Sequence, residues 1–169
     1  GVGHGMSQWG ASGAASVGQL SWQRILAFYY PGTKLESLGN RTIRVRLDAV
    51  GSGTLYVLSS AGLRLAGKAL PAATTGITQY RARSLPTAGR MQVDALSSTG
   101  WRPFASIASP AVFDGSSGLV QVKLRNGTGR AYRGSSAANW ASAAGVTAVS
   151  VLPMESYLRA VRPASMPSP

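Results

Sequence analysis

Val120-Gln121-Val122-Lys123-Leu124-Arg125-Asn126-Gly127-Thr128 carries the pattern that decides the fold. Val120, Val122 and Leu124 alternate with Gln121 and Lys123, a period of two that buries one face of a strand and wets the other. Asn126-Gly127 is then a strong hairpin-turn signal. The alternation recurs on both sides of this stretch. Ile43, Val45 and Leu47 alternate with Arg44 and Arg46, Leu55 and Val57 with Tyr56 and Leu58, and Met91, Val93 and Ala95 with Gln92 and Asp94. Val149 and Val151 flank Ser150. The spacers Gly51 to Thr54, Pro71 to Gly76 and Ser97 to Gly100 are rich in Gly, Ser, Pro and Thr, which turns select. Residues 40 to about 152 therefore read as a small antiparallel β domain, a sheet or barrel-like.

Helical spacing replaces the period of two at the ends. Met6, Trp9, Gly10, Gly13, Ala14 and Val17 fall on one helical face, and glycines there imply close backbone approach by another element. Ser21 suits an N-cap ahead of a stripe of Trp22, Ile25, Leu26 and Tyr29, for which Trp22 and Tyr29 are expected in the core, and Pro31-Gly32 ends it. Pro153 suits the first turn of a third helix with Met154, Tyr157, Leu158 and Val161 as its stripe. The expected class is α+β, an antiparallel β domain flanked by short helices. Three segments follow: a helical one over 1–39, a β-rich one over 40–130, and a strand, a helix and a Pro-x-x-x-Pro end over 131–169.

The chain has 169 residues, enough for one domain with a core, and 44% of them are hydrophobic. It has no cysteine, which excludes disulfides, zinc–thiolate sites and cysteine nucleophiles. No apolar run approaches the roughly 18 residues of a membrane span, so no transmembrane segment is expected in it. A net charge of +12, from 17 Lys and Arg against 5 Asp and Glu, attracts polyanions and makes that attraction salt-dependent. Arg44, Arg46, Arg81 and Arg83 sit on the polar phase of candidate strands, either as a solvated face or as a strip facing a polyanion.

Few residues offer chemistry. His4 is the one histidine, so no multi-histidine metal site is expected, and no cofactor. The glycines around it, and the helix start after it, would let a ligand approach backbone N–H groups. Ser7 beside His4 is not a hydrolase triad. A glycosidase needs a carboxylic acid at the glycosidic oxygen. The whole inventory is Glu36, Asp48, Asp94, Asp114 and Glu155, with no close pair in sequence. Glu155 stands in the first turn of the third helix, where a carboxylate favours the helix dipole.

Two ordered sets of words resemble a known family. Gly3-His4-Gly5-Met6-Ser7-Gln8-Trp9-Gly10-Ala11, followed by Ile25-Leu26-Ala27-Phe28-Tyr29-Tyr30-Pro31-Gly32-Thr33, is similar to one segment of the stage II sporulation protein D and amidase enhancer family. Tyr132-Arg133-Gly134, then Val149-Ser150-Val151-Leu152-Pro153-Met154-Glu155-Ser156-Tyr157-Leu158, then Pro163-Ala164-Ser165-Met166-Pro167, is similar to another. The resemblance implies an extracellular or envelope protein that acts on peptidoglycan. The family's members are lytic transglycosylases of glycan strands or enhancers of a wall amidase. It also implies a general acid/base glutamate where this chain has Ser165. Aligned on Met6-Ser7-Gln8, the family's histidine falls at Val2, and His4 falls on its usual valine. The glycine-histidine word comes first here, so the chain is expected to be the front part of a longer member, its leader upstream or removed.

These readings lead to one expectation with two alternatives. The chain is expected to bind glycan strands or to modulate a wall hydrolase, without cleaving glycan itself. Its partners would be peptidoglycan glycan strands, a wall amidase or another anionic wall polymer, and no specific nucleic acid. Binding would fall to His4, Gly5, Ser7, Gln8, Trp9, Tyr132 and Arg133. The first alternative is an active lytic transglycosylase, in which Glu155 is the candidate acid. The second is a basic module for polyanions or nucleic acid. A hydroxyl cannot protonate a leaving group as a carboxylic acid does. The chain should therefore leave amidase-stripped glycan strands uncut over long incubation, as followed by mass spectrometry for anhydro-ended products. Cleavage by the Ser165→Glu variant alone would identify Ser165 as the silencing residue, and cleavage by the unaltered chain would end the non-catalytic reading.

Overall fold

A computed structural model describes residues 5–37, 39, 41–51 and 53–165, with side chains as far as 160. The chain divides into two units, residues 1–39 with 161–169, and residues 40–160. In chain order the elements are α1 (Gln8–Ser16), α2 (Trp22–Tyr29), β1 (Thr42–Arg46), β2 (Thr54–Leu58), β3 (Leu63–Leu65), β4 (Lys68–Ala69), β5 (Gln79–Ser84) and β6 (Arg90–Ser97). They continue with β7 (Gly100–Ala108), β8 (Ala111–Gly115), β9 (Leu119–Lys123), β10 (Gly129–Arg133), β11 (Ser135–Ser142), β12 (Gly145–Pro153) and α3 (Met154–Ser165). Short 3-10 turns lie at Asp48–Val50 and Ala73–Thr75.

The strands form two six-stranded antiparallel sheets, not closed into a barrel. One has the order β1-β12-β11-β8-β3-β4 and the other β10-β9-β2-β5-β6-β7. The period of two explains why they stack. Leu55 and Val57 of β2, Met91 and Val93 of β6, and Val120 and Val122 of β9 are all fully buried, as the alternation requires. They share one core with Leu63 of β3, Phe113 of β8, and Val146 and Ala148 of β12, which come from the opposite sheet. Burying each large aliphatic or aromatic side chain is worth about 1.5–3 kcal/mol. The Asn126-Gly127 signal marks the β9–β10 hairpin. There the Asn126 side-chain oxygen accepts from Thr128 N at 3.0 Å, and Gly127 has φ +86°.

Several strands have no alternation to announce them. The β11 run from Ser136 to Ala138 is buried on both sides, between β8 and β12, and its small residues carry little strand propensity. The β7 strand is an edge, mostly exposed, with Pro103 in it and a register shift opposite Val93/Asp94. Proline cannot donate to a ladder, so an edge strand is where it is tolerated. Gly134 has φ +79°, and a Cβ there would run into the Val151 carbonyl oxygen and Leu152. The glycine of the Tyr132-Arg133-Gly134 word thus lets the chain pass hard against β12.

Three local expectations need correction. Pro153 is the last residue of β12 and not part of a helical turn; α3 begins at Met154, whose N–H is bonded to the Arg41 carbonyl at 2.7 Å. Trp22 is 55% exposed, so of the α2 stripe Ile25 is the buried member. The glycine face of α1 divides as well. A Cβ at Gly10 would strike the Tyr29 hydroxyl, the close approach that the sequence implied, whereas Gly13 faces open space. The N-cap at Ser21 stands as expected, its Oγ accepting from Arg24 N at 3.5 Å, and the structure adds one at Ser7, whose Oγ accepts from Gly10 N at 3.1 Å.

Tyr80 is fully buried on β5 and its hydroxyl donates to the Pro71 carbonyl at 2.9 Å. Burial pushes its phenol up from 10 to about 12. The unfolded chain loses that proton near pH 10 while the folded chain keeps it, so this contribution is whole below pH 10 and is lost as pH rises toward 12. The expected loss is on the order of 2 kcal/mol. Denaturant titration between pH 9 and 12 should show that slope in the native chain and a shallower one in Tyr80→Phe. Equal slopes would place the alkaline sensitivity elsewhere.

Candidate ligand-binding groove

Pairing that seals one face of the second sheet leaves its other face to solvent, and that face has an unusual population. Registers Tyr56↔Arg81, Arg81↔Asp94 and Asp94↔Pro103 set these residues in one row across β2, β5, β6 and β7. Gln79↔Leu96 and Leu96↔Trp101 make the neighbouring row. One step from the Val57↔Val122 pair places Lys123 beside Tyr56.

Asp94 organises this face. It is a carboxylate on the outer phase of β6, yet it is only 2% exposed. Its Oδ2 accepts from Arg81 Nε at 2.8 Å and from Arg83 Nε at 3.0 Å. Its Oδ1 is buried with no hydrogen-bond partner among the described residues. A buried carboxylate of this kind holds its partners firmly, because removing either leaves charge uncompensated in a dry place. Arg81 in turn lies over the Trp101 ring, 4.5 Å from its centroid. Tyr56 meets Trp101 edge-on with centroids 5.9 Å apart. Both contacts have the geometry that the aromatic quadrupole favours.

Beside this cluster runs a groove of about 820 Å³. Tyr56, Gln79, Leu96 and Trp101 line one end, and Thr54, Lys123, Arg125, Gly51 and Gly127 the other. Two features place Arg125. Its N–H donates to the Ala49 carbonyl at 3.0 Å, tying the β9–β10 loop to the 3-10 turn. Gly51, at φ +89°, has no Cβ to displace its guanidinium, which a methyl there would approach to 3.2 Å. Arg125 and Gly51 also border a smaller cavity of about 250 Å³ with Arg46, Asp48 and Thr147. The groove lining contains no carboxylate, and the ion pairs Arg46–Asp48, Arg81–Asp94 and Arg83–Asp94 involve neither Lys123 nor Arg125. Lys123 and Arg125 therefore project positive charge into a slot walled by a Tyr and a Trp. Such a slot suits a ring with an apolar face and polar or anionic substituents.

None of the described residues singled out from sequence as binding or catalytic is among the residues that line this groove. His4 lies outside the described residues. Gly5 has φ +99° next to the Tyr30 hydroxyl, and that hydroxyl accepts from Met6 N at 3.2 Å. Ser7 caps α1, Gln8 and Trp9 open it, and Trp9 is 75% exposed. Tyr132 packs against the β core with Arg130 5.5 Å from its ring centroid, while Arg133 turns to the opposite face. Tyr132 and Arg133 thus do not share a site. Glu155 stands in the first turn of α3 and Ser165 closes it, with the Ser165 side chain outside the described residues. Of the groove, Tyr56 and Lys123 were visible as polar-phase residues. Trp101 and Arg125 had no local signal, since their role comes from strands that meet only in the folded sheet.

Comparison with known protein families, curated proteins and solved structures finds no match to this chain.

Asp94→Asn removes the charge that holds both arginines. It should cost about 1–3 kcal/mol in thermal or denaturant unfolding, less than a fully buried pair because Arg81 and Arg83 are partly solvated. It should also change the near-ultraviolet signal of Trp101, whose cation partner is released. An unchanged melt and spectrum would show that Asp94 does not organise this face.

Proposed function

We propose that the protein is a bacterial cell-wall protein of the stage II sporulation protein D and amidase enhancer type, located outside the cell membrane, which binds peptidoglycan glycan strands and modulates a wall hydrolase without cutting glycan. The observation that carries the binding role is the groove that joins Tyr56 and Trp101 to Gln79, Thr54, Lys123 and Arg125. Sugar rings present flat C–H faces that stack on aromatic rings, and their hydroxyl and amide substituents need polar partners at the edge of the stack. The groove supplies both on a rigid sheet, so little ordering entropy is spent on binding.

The wall assignment rests on the two ordered sets of family-like words, one over Gly3–Thr33 and one over Tyr132–Pro167. The absence of cleavage rests on chemistry. Glycosidic cleavage needs a carboxylic acid within reach of the leaving oxygen. No carboxylate lines the groove, and Ser165 stands where the family's acid is expected. Asp48 and Asp94 are engaged by arginines.

Among the described residues no helix is long and apolar enough to cross a membrane.

The intact protein should sediment with purified sacculi at modest salt, and Trp101→Ala should release at least ten-fold more of it into the supernatant. Failure of the intact protein to sediment would overturn the wall reading. Full retention of Trp101→Ala would move binding away from the groove.

A further inference from the structure

The groove contains more information than a generic sugar site. Its lining draws one residue or more from each of five neighbouring strands: Lys123 from β9, Thr54 and Tyr56 from β2, Gln79 from β5, Leu96 from β6 and Trp101 from β7. The β9 and β7 backbones are four intervals, about 19 Å, apart, and the Trp101 side chain reaches back across the sheet to bring its ring within 5.9 Å of Tyr56. The groove volume of about 820 Å³ exceeds what one sugar ring fills, so it takes a short run of linked rings. The two ends also differ. The lining at the β6–β7 end is aromatic, and the one cation against it, Arg81 over the Trp101 ring, is paired with Asp94, while the β9 end holds Lys123 and Arg125 with no acid among the lining residues. Of the acids close to this face, Asp94 is sealed beneath Arg81 and Arg83, and Asp48, which borders the smaller cavity beside Arg125, is paired with Arg46.

We infer that this groove selects acidic glycan chains: a run of several sugar rings laid across the strands, with a ring face on Trp101 and Tyr56, and a carboxylate or phosphate substituent at Lys123 and Arg125. This rests on the glycan-binding reading above and adds charge and length selection to it. Charge selection follows from the physics of the β9 end. Two cations held near each other on a rigid surface repel until an anion arrives, and a polyanion that displaces their counterions gains affinity that falls with salt. Arg125 is suited to either anion, since its planar fork matches both carboxylate and phosphate. Gly51 keeps that fork clear of a side chain.

Intrinsic tryptophan fluorescence, with calorimetry as a second readout, tests the inference on the full chain. The probes are a neutral chitohexaose, a hexameric uronate, a dimeric uronate, a hexose-phosphate polymer and a 20-nucleotide oligothymidylate. The acidic hexamer should bind at least ten-fold more tightly than both the neutral hexamer and the acidic dimer at low salt, and the advantage over the neutral hexamer should shrink at high salt. The uronate and the phosphate polymer then decide which anion the site prefers. Lys123→Ala with Arg125→Ala should lower affinity for the acidic hexamer at least ten-fold and leave chitohexaose within two-fold. Lys123→Arg with Arg125→Lys should restore most of the loss, which separates charge from folding defects. Trp101→Ala should weaken every saccharide.

Equal binding of neutral and acidic hexamers, or an unaffected double alanine variant, overturns the charge selection and leaves the glycan reading standing. Equal binding of dimer and hexamer overturns the length. Binding of no saccharide at all overturns the glycan reading itself. Tighter binding of oligothymidylate than of the acidic hexamer at equal salt overturns both in favour of single-stranded nucleic acid.

Discussion

The mutual burial of two inner sheet faces is the constraint on which the rest of residues 40–160 depends. Each strand presents a side chain to the core at every second position, and neither sheet alone could keep its apolar face from water. Leu55, Val57, Met91, Val93, Val120 and Val122 have nowhere to go but against Leu63, Phe113, Val146 and Ala148. Once those positions are inside, strand geometry puts the alternate residues outside. Tyr56, Gln79, Arg81, Asp94, Leu96, Trp101 and Lys123 are therefore on one surface as a consequence of the core, and a slip of register by one residue would bury them and expose the core. The candidate site is in this sense the reverse side of the hydrophobic pattern.

On that outer face a second interaction decides the shape. Asp94 is buried where the alternation calls for exposure, and two guanidinium groups cover it. The pairing is costly in desolvation and is weak evidence for stability. Its clearer consequence is geometric. Arg81, held at one end by Asp94, lies against Trp101, and Trp101 meets Tyr56. An indole on an edge strand would otherwise have free choice of rotamer. Here it has a cation on its face and a phenol against it. A rigid aromatic wall of this kind is what a sugar ring requires for stacking with little ordering cost.

The helical unit obeys a different balance. In α1 and α2 Ile25 is the one buried residue, and Trp9, Trp22 and Phe28 are largely exposed. Among its described contacts are the serine caps, the bond from Met6 N to the Tyr30 phenol, and the contact that the missing side chain of Gly10 allows to Tyr29. Short helices in water are marginal on such interactions alone, because nucleation is costly and capping recovers about 1 kcal/mol for each cap.

The sequence by itself determined the antiparallel β domain with helices at both ends, the core phases of β2, β6 and β9, and the Asn126-Gly127 turn. It did so because these depend on residues two to four positions apart, within reach of local pattern. It also determined the cap at Ser21, which is set within one turn of chain. The tertiary structure alone decided the split into two open six-stranded sheets, the strands β7, β8 and β11, and the exposure of Trp22. It alone placed Asp94 inside. Strand order is a choice among distant partners, and a serine-alanine run such as β11 becomes a strand only when β8 and β12 flank it. The groove is the extreme case. Lys123 and Trp101 lie on β9 and β7, and three other strands must pair in order between them before they can serve one ligand.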